Sequence, residues 1–317
     1  MIRSEQLKDL IIYTFISSIG FFIRRLPLRV ALWWGAGLGD LMWYVLKNRR
    51  KIAISNLRLA FGNEKTALEL NRIAKQSFRN LGKNIAEFLR FPLLNEQNLW
   101  DLVTVEGREN VEHALDLGRG VIIFIAHLGN WELLAPVYSA LFPKTAVIAF
   151  PLKNRYLDKM VNKYRCWLGL EIIRKRLATK YVLKALKDNY VVGFIADQNA
   201  GREGVVVEFF GKLASTARGP VAIALKTGAP LILSLDIRFP NDRHCLIITE
   251  PVKLTITGDL DEDVACNTAK LMAELEKQIR RYPCQWMWQH DRWKTRPDAK
   301  WQDKRKMAKR QDGKTAG

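Results

Sequence analysis

In the segment GVIIFIAHLGNWELL, residues 120–134, a histidine and a glutamate stand five positions apart, His127 and Glu132. Gly120 and the apolar run 121–126 predict a buried strand, so His127 falls at its C-terminal end, where α/β proteins place ligands. Gly129 permits a tight turn. Asn130 is a candidate N-cap for a helix starting at Trp131, which puts Glu132 in that helix's first turn. A carboxylate facing the ring across such a turn would accept the proton of one nitrogen and fix the tautomer. The other nitrogen would gain basicity and become a general base for an alcohol. The helix N-terminus would also aim backbone N–H groups at an oxyanion or a phosphate. A buried His and a capping Glu are common structural residues too. Here the apolar surroundings make a charged pair costly unless it is used.

Other residues point to the same edge. Asp197, Gln198 and Asn199 end the apolar run YVVGFIA and read either as a capping turn or as a site lining. Arg202 lies in the following Gly-rich loop, and Arg218 precedes Gly219-Pro220 at the start of an expected helix. Arg174, Lys175 and Arg176 follow a short apolar run. They belong to a stretch, 153–187, with eleven Lys/Arg against two acids. That stretch is either a solvated helix face or a wall for phosphate, to which Arg binds in bidentate fashion. Arg174 is the candidate at the rim of the site. The segment YPCQWMWQHDRWK could stack nucleic-acid bases and suits a membrane-interface belt or a core lid at least equally well. His290 within it reads as structural, and His113 and His244 as ordinary surface residues.

These residues need elements to position them. From about residue 101, short Val/Ile-rich runs (LVTVEG, GVIIFIAH, TAVIAF, YVVGFIAD, VVVEFFG, PLILSLDIRF, HCLIITEP) alternate with polar helical stretches. The helices are expected near 109–118, 130–141, 154–168, 178–188 and 216–227, with a last amphipathic one at 262–281. This pattern predicts an α/β fold with a central, mostly parallel mixed sheet flanked by helices. Residues 49–100 read as helical up to Pro92. Residues 10–23 are uncharged and are followed by Arg24-Arg25. They predict an N-terminal membrane-anchoring helix, either a single span or an interfacial anchor, with the Trp-rich stretch 30–46 at the membrane interface; a pair of buried core helices is the alternative. Three parts are expected: 1–48 as anchor and interfacial helix, 49–297 as the α/β domain, and 298–317 as a basic tail.

The 317 residues carry 51 Lys+Arg against 32 Asp+Glu, a net charge of +19, yet are 48% hydrophobic. That excludes a disordered polycation and points to a polyanionic partner, nucleic acid or an acidic membrane surface. The four Cys form no CxxC pair and have no His at metal-ligand spacing, so no metal is expected and the thiols read as reduced.

HLGNWE resembles the H-x4-[D/E] motif of glycerolipid acyltransferases. The wider pattern resembles the late acyltransferases of lipid A biosynthesis. Residues 191–212 (VVGFIADQNAGREGVVVEFFGK) match that family's ADQ…G…FFG block, 214–232 the segment after it, and 282–297 are similar to its C-terminal signature. Most of 50–297 is covered. Cys284 and Ala217 depart from the Glu and Pro expected there, which touches packing more than chemistry. The resemblance implies a glycerolipid-acyltransferase-like fold. It implies acyl transfer from a thioester, on acyl carrier protein or coenzyme A, to a hydroxyl of a phosphorylated glycolipid, a lipid A precursor. In that scheme His127 deprotonates the hydroxyl, Glu132 orients His127, and Asn130, Arg174, Asp197, Gln198, Arg202 and Arg218 contact substrate. No Ser or Cys occupies a nucleophile elbow, so attack is direct; no cofactor is needed, since the thioester is a substrate. The setting implied is the inner membrane, with the catalytic domain on the cytoplasmic side against anionic lipids. A phospholipid or another glycolipid is the alternative acceptor. A basic nucleic-acid-binding protein is the alternative of another class, but no zinc-finger spacing, RRM signature or basic zipper supports it.

Overall fold

Every residue of β2 (Val121–Ile125) is buried, as a strand covered on both faces must be. Among the described residues it is the middle strand of a seven-stranded sheet. The computed structural model describes residues 4–174 and 178–295. Lys175, Arg176 and the tail expected from 298 lie outside them. The strands are β1 (Val103–Glu106), β2, β3 (Thr145–Ala149), β4 (Glu171–Arg174), β5 (Val191–Ile195), β8 (Leu231–Arg238) and β9 (His244–Ile248), in the order β1-β9-β8-β2-β5-β3-β4. All neighbouring pairs are parallel except β8 with β9. The expected mostly parallel mixed sheet is therefore present. One apolar run departs from it: VVVEFFG forms β6 (Val205–Phe209), which pairs antiparallel with β7 (Lys212–Thr216) in a separate hairpin.

The helices are α1 (Ser4–Arg25), α2 (Leu28–Val45), α3 (Lys47–Phe61), α4 (Ala67–Arg90), α5 (Glu96–Leu102), α6 (Arg108–Asp116), α7 (Leu134–Leu141), α8 (Arg155–Arg165), α9 (Ala178–Lys187), α10 (Gly219–Thr227) and α11 (Leu260–Arg281). Alternation along β2 divides the core. Ile123 and Ile125 pack with Leu134, Val137 and Tyr138 of α7. Ile122 and Phe124 face the other way, among Val182 of α9, Val221 of α10 and Leu271 of α11. Each such side chain contributes roughly 1.5–3 kcal/mol by leaving water.

Helix α4 matters most for the site. A reciprocal capping box between Thr66 and Glu69 starts it. One side of α4 meets α2 at small residues: a Cβ on Gly35 would lie 2.7 Å from the carbonyl of Gly82. The backbones are thus too close for any side chain there. Asn84 and Glu87 extend from α4 toward the loop that follows β2. Helix α1 is long and apolar enough to cross a membrane by length and composition. The four cysteines are free thiols.

Candidate active site

Strand register brings the two central groups together. β2 and β5 are parallel, with Phe124 opposite Phe194 and Ile125 opposite Ile195. Two residues further on, His127 and Asp197 emerge side by side. The Nδ1 of His127 lies 2.6 Å from Asp197 Oδ1, and the His127 backbone N–H donates to Asp197 Oδ2 at 2.9 Å. Trp286 Nε1 donates to the same oxygen at 2.8 Å. Asp197 is fully buried. Burial opposes its ionisation, but electrostatic attraction to the His127 ring and the hydrogen bonds from His127 and Trp286 outweigh burial and hold the carboxyl below its usual value. An ionised Asp197 fixes the proton on Nδ1 and leaves Nε2 as an acceptor. The side-chain amide of Gln198 donates to that Nε2 at 3.2 Å. The ring of Trp131 packs against the imidazole, tilted by 60° with 4.8 Å between centroids.

The expected His127–Glu132 pairing is replaced by this arrangement. Glu132 is bound in bidentate fashion by Arg165 of α8, at 2.8 and 2.6 Å. The cause lies in the local backbone. The chain enters a 3₁₀ turn at Trp131–Leu133, and α7 starts only at Leu134. Asn130 holds the N-cap position of that 3₁₀ turn, but its side chain does not cap it. Its side chain is fully buried and donates to Glu87 at 2.6 Å, and its backbone N–H donates to Asp236 at 2.6 Å.

A buried ionic cluster beneath the turn holds it. Arg238 makes two 2.6 Å bonds to Glu87, and His244 lies between Asp236 at 2.8 Å and Glu87 at 3.2 Å. Asn84 accepts from Arg238 and donates to the carbonyl of Gly129 at 2.6 Å. Gly129 has φ +61°, and a Cβ there would collide with Asp236, so only glycine fits. His244 is thus a core residue at 1% exposure, contrary to the surface position expected for it. Burial disfavours its charged form, yet Asp236 and Glu87 hold its pKa up at about 9.

The C-terminal Trp-rich segment is the back wall. Met287 N–H bonds the carbonyl of His127, and Gly129 N–H bonds that of Gln285. Trp286, Trp288 and Trp293 are buried, which decides for core over membrane belt. Next to Gln198, the backbone N–H of Asn199 donates to His290 Nε2 at 3.2 Å, and burial lowers the pKa of that ring. The remaining expected residues sit further out. Arg174 is exposed at the end of edge strand β4, three strands from β2, roughly 14 Å at the usual strand spacing. Arg202 is exposed in a 3₁₀ turn. Arg218 is paired with Asp261 at 2.6 Å.

Beside the dyad, a narrow apolar cavity runs between the sheet and α7. Ile125, Val147, Gly193 and Tyr138 line it, and Trp131, Glu132 and Arg165 also border it. Sequence reasoning missed Arg165, Trp131 and Trp286 as site residues and Asp197 as the partner of His127. A signal for Asp197 was available: FIAH at 124–127 and FIAD at 194–197 repeat the same strand end.

A strand-end His–Asp pair beside an apolar slot suits the transfer of a hydrophobic group to a hydroxyl. The comparisons agree. The model of the bacterial lipid A biosynthesis acyltransferase family matches residues 2–295. The chain belongs to that family. It is 28% identical to the lipid A biosynthesis palmitoleoyltransferase of Escherichia coli (strain K12) over 276 residues, 86% of this chain and 88% of the relative. It is 28% identical to the lipid A biosynthesis lauroyltransferase of the same organism over 281 residues, 88% and 90% of the two chains. A phosphatidylinositol mannoside acyltransferase of Mycolicibacterium smegmatis (strain ATCC 700084 / mc(2)155) is 26% identical over 228 residues, 70% and 72%. The chain is an O-acyltransferase of the lipid A and glycolipid kind.

Proposed function

We propose that this enzyme transfers a fatty acyl chain from acyl carrier protein to a hydroxyl of a lipid A precursor. His127 Nε2 takes the proton of the acceptor hydroxyl as its oxygen attacks the thioester carbonyl. Asp197 stabilises the imidazolium that forms and keeps the ring oriented. The tetrahedral intermediate then expels the thiolate, which takes the proton from the imidazolium. When the acceptor hydroxyl takes the place of Gln198 on Nε2, the freed Gln198 amide is within reach to bond the oxyanion. The acyl chain lies in the apolar cavity bordered by Trp131. In this scheme the orienting carboxylate is Asp197, and Glu132 serves to hold Arg165 at the cavity edge. The observation that carries the reading is the chain Trp286–Asp197–His127 ending beside an apolar slot.

Charge supports the choice of partners. Arg155, Lys159 and Lys163 of α8 and Lys180, Lys184 and Lys187 of α9 are exposed, a surface suited to an acidic carrier protein. Exposed Arg174 and Arg202 suit acceptor phosphates. The apolar α1 and the cations around it suit the cytoplasmic side of the inner membrane. The likeness to a phosphatidylinositol mannoside acyltransferase favours one second reading, a mannosylated phosphoinositide acceptor. Mass spectrometry of membrane lipids from cells with and without the protein separates the two. The proposal requires a lipid A species one acyl chain heavier that disappears with His127→Ala. An unchanged lipid A profile overturns it, and an acylated inositol lipid selects the second reading.

A further inference from the structure

Helix α1 is fixed along a surface helix of the catalytic domain. Asn154, the cap of α8, donates to the carbonyl of Asp9 at 2.9 Å. One turn on, the rings of Tyr13 and Tyr156 lie 5.9 Å apart. Ser17 Oγ meets Met160 Sδ at 3.8 Å, and Arg24 reaches Tyr164 at 3.2 Å. The contacts advance in step, so the two helices run parallel. At 1.5 Å per residue, the stretch 9–24 of α1 covers roughly 22 Å, most of the hydrocarbon thickness of a bilayer. Arg90 of α4 also holds the far end of α1, through the carbonyls of Ile23 and Leu26 at 2.7 and 2.6 Å.

α8 is a poor companion for a membrane span. Arg155, Lys159 and Lys163 are exposed on it at successive four-residue steps. If α1 stood upright in a bilayer, these cations would enter hydrocarbon beside it, where charge is strongly disfavoured. The opposite side of α1 differs. Leu7, Ile11, Phe15, Ile19 and Phe22 are 39–66% exposed and form one stripe at helical spacing. Beside it α2 exposes Trp33 (70%), Trp34 (53%) and Leu41 (58%), and an apolar groove joins the two helices. Exposed Arg25 and Arg29 stand where α1 passes into α2, and exposed Lys47, Arg49 and Lys51 follow directly after α2.

We propose that α1 and α2 lie together in one leaflet of an anionic bilayer, apolar face down, and that α1 does not cross it. The occupant of the groove is lipid hydrocarbon, with the aromatics at headgroup level and the cations at either end of α2 on acidic headgroups. The inference rests on the reading of a membrane-borne acceptor. It sets the geometry: α8 and the mouth of the site lie at the surface of the leaflet that presents the glycolipid.

The test uses full-length protein reconstituted in sealed vesicles of phosphatidylethanolamine and phosphatidylglycerol. Exposed Cys266 on α11 reports on which side the catalytic domain lies. In a Cys166→Ser background carrying Glu5→Cys, a membrane-impermeant maleimide is expected to label position 5 and Cys266 together from outside. Labelling of position 5 only after the vesicles are opened refutes the proposal. In flotation, Trp33→Glu with Leu41→Glu is expected to lower vesicle binding at least tenfold, and Leu260→Glu on α11 to leave it unchanged. Unchanged binding of the double variant, or a dimer in detergent that the double variant dissociates, overturns it. Transfer to a detergent-dispersed acceptor, measured on the same variants, reports separately on the catalytic reading.

Discussion

Replacing Asp197 with Asn removes one charge and almost nothing of the side chain's shape. The carboxylate accepts from the His127 ring, the His127 backbone and Trp286 within 2.9 Å. An amide has only one acceptor oxygen for these donors, so its NH2 group must face one of them. The simplest relief moves the imidazole proton from Nδ1 to Nε2, which removes the lone pair that the acceptor hydroxyl needs. The lost charge adds a second penalty. A pair about 4 Å apart at an effective dielectric near 20 interacts by about 4 kcal/mol. At about 1.4 kcal/mol per decade, that is roughly a 10³-fold loss in kcat. The tautomer effect acts in the same direction, and a comparable change in a Ser-His-Asp triad costs about 10⁴-fold. KM should move little, because Asp197 is fully buried away from substrate. The assay is initial-rate transfer of a labelled acyl group, with near-UV circular dichroism as the control for folding. A kcat within tenfold of wild type refutes the role given to Asp197. Stability supplies an independent readout. The Asp197 carboxyl lies below its usual value. Its contribution to stability is therefore present above the unfolded value near 3.9, roughly, and is lost as pH falls through the folded one. The Asn variant should lack that part of the acid slope in urea titrations.

Three further outcomes are expected. Glu132→Gln and Arg165→Gln should slow transfer by similar factors, and the double variant should be no worse than either, because the two side chains act as one unit; a multiplicative loss in the double-mutant cycle assigns them separate roles. His244 is charged in the fold, with a pKa of about 9 against an ordinary value of about 6.5. Its stabilisation is complete below the ordinary value and is lost as pH rises through 9, an amount of about 3 kcal/mol. Urea unfolding at pH 6.5 and 9.5 checks this, and His244→Asn should flatten the difference. Tyr138→Ala enlarges the apolar cavity, so the preferred acyl donor should lengthen, read from competition between donors of different chain length; an unchanged preference places the acyl chain elsewhere.

Which parts of this site were legible in the sequence follows from how far each residue's environment is set locally. The strands around the site are apolar runs buried on both faces, and such runs announce themselves. His127 stands at the end of one, so its position followed at once. β7 is KLAST, in which Leu213 is exposed while Ser215 and Thr216 are buried, and it gave no comparable signal. Asp197 was visible as a residue lining the site, but its bond to His127 depends on β2 and β5 being parallel neighbours in one register. Seventy residues separate the two groups in the chain. Glu132, five residues from His127, looked the better partner by proximity alone. The 3₁₀ turn directs it toward Arg165, a cation that composition shows only as one among eleven in its stretch. His244 was misjudged although it heads the apolar run HCLIITEP, because its carboxylate partners come from β8 and α4. The repeated FIA before His127 and Asp197 is the exception. Parallel strands in one layer, packed against helices on both faces, meet the same demands at corresponding positions: a large aromatic toward one face, a branched residue toward the other, then alanine where space narrows. Two such matching ends, each closing on an ionisable residue, fit strands that end at the same level of one sheet, as β2 and β5 do.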